Sequence, residues 1–245
     1  MSWMFPRRSG IRVPETREWI LGALYLPVFL FFLNFAILAY FPALGFPLTE
    51  PRNYFFANLL YMTVNFAVML LIFRRTLWQS LREFEGKMLL SVLIGFGMCY
   101  GANLVLTTAY TVLDIMPENY NQEAVNSLLG GYPLAMTLCT VVLAPLAEEC
   151  LFRGVLFAPL ARRCLPAAYA LSMFLFAGMH VFQFLGSMTA ANTILCLSLY
   201  LPASFSLCWV YQKTGNIWAG IFLHMFINFQ SVLASLLRSL MQAFL

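Results

Sequence analysis

Charge is what this sequence has least of. Only 10% of its 245 residues are Asp, Glu, Lys or Arg, against 62% hydrophobic, and the mean hydropathy is +0.80. A water-soluble domain carries about 25% charged residues. This chain therefore lacks the polar exterior that a soluble fold must show to water. Weak, alternating ten-residue segments are missing too, which excludes a membrane β-barrel. No basic stripe rises above the clusters that flank apolar runs, so nucleic-acid binding is excluded. The six cysteines (Cys99, Cys139, Cys150, Cys164, Cys196, Cys208) form no CxxC pair, and no disulfide framework is implied. They read as small buried hydrophobes. Histidine is scarcest of all, with only His180 and His224. There is no internal repeat and no low-complexity tract.

What is present is a series of long apolar runs. They predict an all-α, polytopic membrane helical bundle of about seven transmembrane helices, because only helices and closed barrels satisfy every backbone polar group in lipid. Residues 1–17 read as a basic cytoplasmic arm, and 18–245 as a single integral domain. The first apolar run is too long for a signal-peptide core and no small-residue cleavage site closes it, so it reads as a retained helix. Helices are expected over about 19–40, with Pro27 as a kink, 54–73 and 88–113. Between the last two, Leu77, Trp78, Leu81 and Phe84 mark an extra interfacial stretch. Residues 114–131 read as an acidic loop. A fourth helix runs from Pro133 to Arg162 and Arg163, broken or bent by Pro145, which has no N–H to donate. Helices over 166–184, 190–211 and 217–229 follow, the tail to 245 reading as a continuation or an amphipathic end.

Basic residues orient the bundle. Placing the N-terminus inside puts Arg7, Arg8, Arg12, Arg17, Arg74, Arg75, Arg82, Lys87, Arg162, Arg163 and Lys213 on the inner side, against Arg52 and Arg238 outside. This is the asymmetry of a multi-pass protein with a cytoplasmic N-terminus.

One segment breaks the apolar pattern. Residues 141–157, VVLAPLAEECLFRGVLF, hold Glu148, Glu149 and Arg153. A charge at the centre of a membrane helix costs about 2.5–3.5 kcal/mol on insertion scales, so three within six positions imply partners and a task. Adjacent residues on a helix point about 100° apart, so the two glutamates have different jobs. Glu149 and Arg153 are i,i+4 and pair along one face. Glu148 is left free, and a carboxylate in a low-dielectric site can act as a general base. Phe176 lies four before His180 and Asn228 four after His224, so each pair shares a helix face. Every histidine and every clearly intramembrane charge falls in the C-terminal helices. A Glu, His, His, Asn set can activate water and stabilise an oxyanion. Alternatively, Glu148, His180 and His224 could bind zinc, although no HExxH spacing is present and the ligands would have to converge from three helices. Both arrangements hydrolyse amides.

The ordered set EExxxR (Glu148, Glu149, Arg153), FxxxH (Phe176, His180) and HxxxN (His224, Asn228) resembles the CAAX protease and bacteriocin-processing family of intramembrane proteases, which includes the CAAX prenyl endopeptidases. The resemblance covers about residues 130–230. It implies an active site in the C-terminal four helices. Glu148 would be the base acting on water, assisted by His180, with His224 and Asn228 as the oxyanion site and Glu149, Arg153 and Phe176 as support. It further implies a glutamate-dependent reaction that requires no cofactor, zinc being the alternative. The substrate would be a membrane-associated peptide or membrane protein, in a cell membrane if the host is prokaryotic. Some relatives are named for bacteriocin immunity, so a non-proteolytic immunity or peptide-binding protein is the competing expectation. A transporter would show an inverted repeat, and none is visible.

Overall fold

The computed structural model describes residues 10–243 and contains seven helices long and apolar enough to cross a membrane. They are α1 (Thr16–Ala43), α2 (Pro51–Ile72), α4 (Gly86–Val112), α6 (Pro133–Arg163), α7 (Leu165–Ser187), α8 (Ala190–Thr214) and α9 (Ile217–Ala243). Two shorter helices, α3 (Arg74–Arg82) and α5 (Tyr120–Gly131), lie at opposite ends of the bundle. No strand occurs among the described residues. The seven spans and the interfacial α3 are those the apolar runs predict. Arg7 and Arg8 lie outside the described residues.

The expected loop over 114–131 is in part a helix. Asn119 caps it by accepting from the Gln122 N–H at 3.1 Å, and Leu128 and Leu129 are buried beneath it. Acidic side chains suggested an exposed loop, but Asx capping and an apolar face outweigh them. The last helix runs on past 229 to Ala243, the continuation expected of the tail.

The motif helix sits at the centre. Half of the most apolar window of α6 is buried, against 17–39% for the other spans. It packs against α1, α2, α7, α8 and α9, while α4 lies outside, on α8 and α9. Lipid offers no hydrogen bonds, so each irregularity in a span must be satisfied by a neighbour. Three π-helical segments show how. After Pro27, residues Val28–Phe32 widen to the π register, and Tyr61 Oη donates to the Phe29 carbonyl at 3.0 Å. Before Pro145, Cys139–Leu143 do the same: the Ala144 N–H reaches back to Cys139. Proline offers nothing to Thr140, and Asn228 Nδ2 donates to that carbonyl at 2.8 Å. Within Cys150–Phe157, Val155 would look to Pro159 for a donor; Trp19 Nε1 supplies it at 3.1 Å. Near its prolines α6 thus widens to the π register without breaking, and the carbonyls left free key α1 and α9 to it.

At the end where α1 begins, polar groups lock the elements together. Ile11 is 1% exposed, and its carbonyl accepts from Arg162 Nη2 at 2.8 Å. Tyr211 Oη donates to the Arg12 carbonyl at 2.7 Å. The α8–α9 turn closes on Gly215 at φ 64°; a Cβ there would strike the Gly10 carbonyl. Glu18, from α1, caps α3 across space. It accepts from the N–H groups of Arg75 at 3.0 Å and Thr76 at 3.2 Å, and from the Thr76 hydroxyl. At its other end α3 is tied to α9: Asn216 Nδ2 donates to Ser80 O at 2.6 Å and Trp218 Nε1 to Leu77 O at 2.8 Å. Because Glu18 is buried and satisfies three donors, Glu18→Ala should destabilise the protein by about 1–3 kcal/mol. Thermal unfolding in detergent measures this, and an unchanged midpoint would show that α3 is held from α9 alone.

Candidate active site

Glu148 and Glu149 lie where α6 passes from its α-helical Ala144–Glu149 segment into the wider Cys150–Phe157 turn. Glu149 and Arg153 are both completely buried and pair at 3.1 Å. The i,i+4 spacing read from the sequence is therefore realised. Arg153 does more than brace its neighbour. Nη2 donates to the carbonyl and the hydroxyl of Ser204 on α8, at 3.2 and 3.3 Å, and the guanidinium lies 4.7 Å from the Phe176 ring centroid. A buried guanidinium is tolerated because its charge and both terminal nitrogens are met from three helices, Nε alone being left without a partner.

Glu149 also holds a histidine. His224 Nδ1 lies 2.9 Å from Glu149 Oε1. The carboxylate can only accept, so Nδ1 carries the hydrogen and Nε2 faces the other way. That nitrogen stands 3.7 Å from Glu148 Oε2. His224 is thus placed between the two glutamates, oriented by one and presented to the other. Gly220, one turn earlier on α9, allows this approach: a Cβ there would come within 3.1 Å of Glu149 Oε2. Gly220, His224 and Asn228 form one face, at i, i+4 and i+8, meeting Glu149, both glutamates and Thr140 in turn.

His180 is held differently. Its Nδ1 is 2.8 Å from the Phe176 carbonyl, so Nδ1 again bears the hydrogen and Nε2 an open lone pair. Its ring stacks on Tyr200 at 4.5 Å between centroids and 19° between planes. Tyr200 Oη donates to Asn119 Oδ1 at 3.0 Å and accepts from Asn121 at 3.2 Å, which connects His180 to the cap of α5. Phe176 sits between the two histidines, its ring 5.0 Å from His180 and 5.5 Å from His224. The structure therefore gathers Glu148, Glu149, Arg153, Phe176 and His224 into one buried cluster. His180 adjoins it through Phe176, and Asn228 reaches it from the Thr140 side. The histidine in reach of Glu148 is His224, not His180. Among the described residues no three His, Cys, Asp or Glu side chains are grouped to hold a metal ion.

Four contributors were not singled out from the sequence: Ser204, Tyr200, Thr140 and Gly220. A signal existed for two of them. Gly220 is four before His224, and Thr140 is five before Pro145, which removes a donor there. Removing the arginine would leave the Glu149 carboxylate buried without its cation. Arg153→Ala should cost about 3–5 kcal/mol, read as a lowered thermal midpoint in detergent. A near-neutral effect would mean His224 alone balances Glu149.

Residues 130–230 match the family described as Type II CAAX prenyl endopeptidase Rce1-like. All seven residues of the three motifs fall inside that match. A relative from Bacillus subtilis (strain 168), named "Putative membrane peptidase YdiL", is 28% identical over 166 residues, covering 66% of this chain and 64% of its own length. The chain thus spans under two thirds of that relative. No solved structure matches the chain. Over residues 130–230 the chain is similar to the CAAX prenyl endopeptidases, and the relative supports the same family.

Proposed function

We propose that this protein is a membrane peptidase in which Glu148 activates water for attack on a substrate peptide bond. The family and the relative support a membrane peptidase. The observation that carries the finer reading is the pairing of Glu148 with His224. Glu148 Oε2 is buried with no hydrogen-bond partner, and it faces a histidine whose outer nitrogen is aimed at it from 3.7 Å.

Charge balance explains the arrangement. Two carboxylates and one guanidinium leave one unit of negative charge in a water-poor interior. A single mobile proton shared by Glu148 and His224 neutralises it. As a water oxygen bonds to the substrate carbonyl carbon, its proton passes to Glu148. The carbonyl oxygen becomes an oxyanion, accepting from a protonated His224 Nε2 and from the Asn228 amide hydrogen not given to Thr140. Collapse breaks the C–N bond, and Glu148 returns the proton to the leaving nitrogen. His180 offers its Nε2 lone pair to orient the water. Glu149 fixes the His224 tautomer as a carboxylate does for a catalytic imidazole. Each of these steps is carried by the protein's own side chains. The substrate is a membrane-associated peptide or membrane protein, and the basic end of the bundle faces the cytoplasm.

Glu148→Gln keeps the shape and removes the base. Cleavage of a peptide library in liposomes should fall about 10³-fold, the scale of general-base catalysis, with the unfolding midpoint retained. Full cleavage by this variant would overturn the assignment. Strong chelation should leave the activity of the unaltered protein in place; loss restored by added zinc would replace the glutamate mechanism with a metal one.

A further inference from the structure

A concave site lies at the end where α1 begins, away from the proposed catalytic cluster. It is a groove of about 330 Å³ between the start of α1, the end of α2 and the first turn of α3. Its walls divide by depth. Leu21 and Leu71, exposed at 40% and 71%, and the half-buried Ile72 make the part toward the apolar interior. Arg17, Arg74 and Arg75 make the part toward water, with Glu15 and Glu18. Arg75 is spent on Glu15 at 2.9 Å. Glu18 is turned inward onto the N-terminus of α3 and so already occupies that helix end. Arg17 and Arg74 are exposed and make no ion pair among the described residues.

The charges count three positive and two negative, leaving one positive. The ligand that fits is a single negative charge on a group with paired oxygen acceptors, carried on a long apolar chain, at the depth where spans leave the hydrocarbon. We propose that this groove binds one anionic phospholipid. Its phosphodiester bridges Arg17 and Arg74, and an acyl chain lies along Leu21 and Leu71. Zwitterionic lipids fit less well, because their own cation competes for the phosphate and meets the arginines. The bound lipid would join α1 to α3 beside the Glu18 cap and so reinforce the strap from the first span to the last. This inference is independent of the peptidase reading.

The test uses the full chain in nanodiscs of phosphatidylcholine alone or with phosphatidylglycerol added. Phosphatidylglycerol should raise the unfolding midpoint by about 3 °C, the scale of a one-site ligand on a chain of this size. One phosphatidylglycerol should stay bound in native mass spectrometry. Both effects should vanish in Arg17→Gln/Arg74→Gln. These two side chains make no ion pair among the described residues, so the variant should fold. Arg163→Gln, an exposed arginine at the same end but outside the groove, should keep both effects. Equal loss in Arg163→Gln would reduce the site to general surface attraction and overturn the proposal. So would equal stabilisation by inorganic phosphate, which would mark an anion site rather than a lipid site, or no difference between the two lipid compositions.

Discussion

The buried carboxylate of Glu149 is the constraint on which the rest of the site depends. It lies in the centre of the central helix with no exposure at all. An ion there is tolerable only if charge and hydrogen bonds meet it. Arg153 and His224 both converge on its Oε1, and Arg153 in turn draws in Ser204 and Phe176. One desolvated charge thereby fixes the mutual placement of α6, α7, α8 and α9. Glu148 is the beneficiary. With its neighbour holding the guanidinium and the imidazole in place, its own outer oxygen is left without a partner.

Proline has a second organising role. In water a missing N–H is a local loss. In lipid it creates an acceptor that another helix must satisfy. The Thr140 and Val155 carbonyls of α6 are answered by Asn228 and Trp19, from the last and the first spans. Asn228 therefore has two duties, one to the backbone of α6 and one to the proposed oxyanion. Its two amide hydrogens allow both.

Much of this was legible in the sequence. The seven spans follow from hydropathy, and the Glu149–Arg153 pair from i,i+4 geometry, because both are local. The helix Tyr120–Gly131 was not, since acidic side chains mask its apolar face. Nor was the choice of histidine. Glu149 and His224 are 75 residues apart, and sequence order carries no angle between helices. The expectation set His180 beside Glu148; the imidazole found 3.7 Å from Glu148 is that of His224, while His180 stacks on Tyr200. Tyr200 and Ser204 were invisible because a Tyr or Ser in a span is commonplace until its partner is known.

The strap formed by α3 has a consequence for register. Its five hydrogen bonds, three to Glu18 and two from Asn216 and Trp218, fix where α9 starts relative to α1. His224 lies six residues beyond Trp218, about 9 Å along the helix. A slip of α9 by one turn would move it about 5.4 Å, carrying His224 past Glu149, moving Asn228 off Thr140 and withdrawing the gap at Gly220. A short helix at one end of the bundle thus acts as the zero mark from which the Gly220, His224 and Asn228 face of α9 is measured.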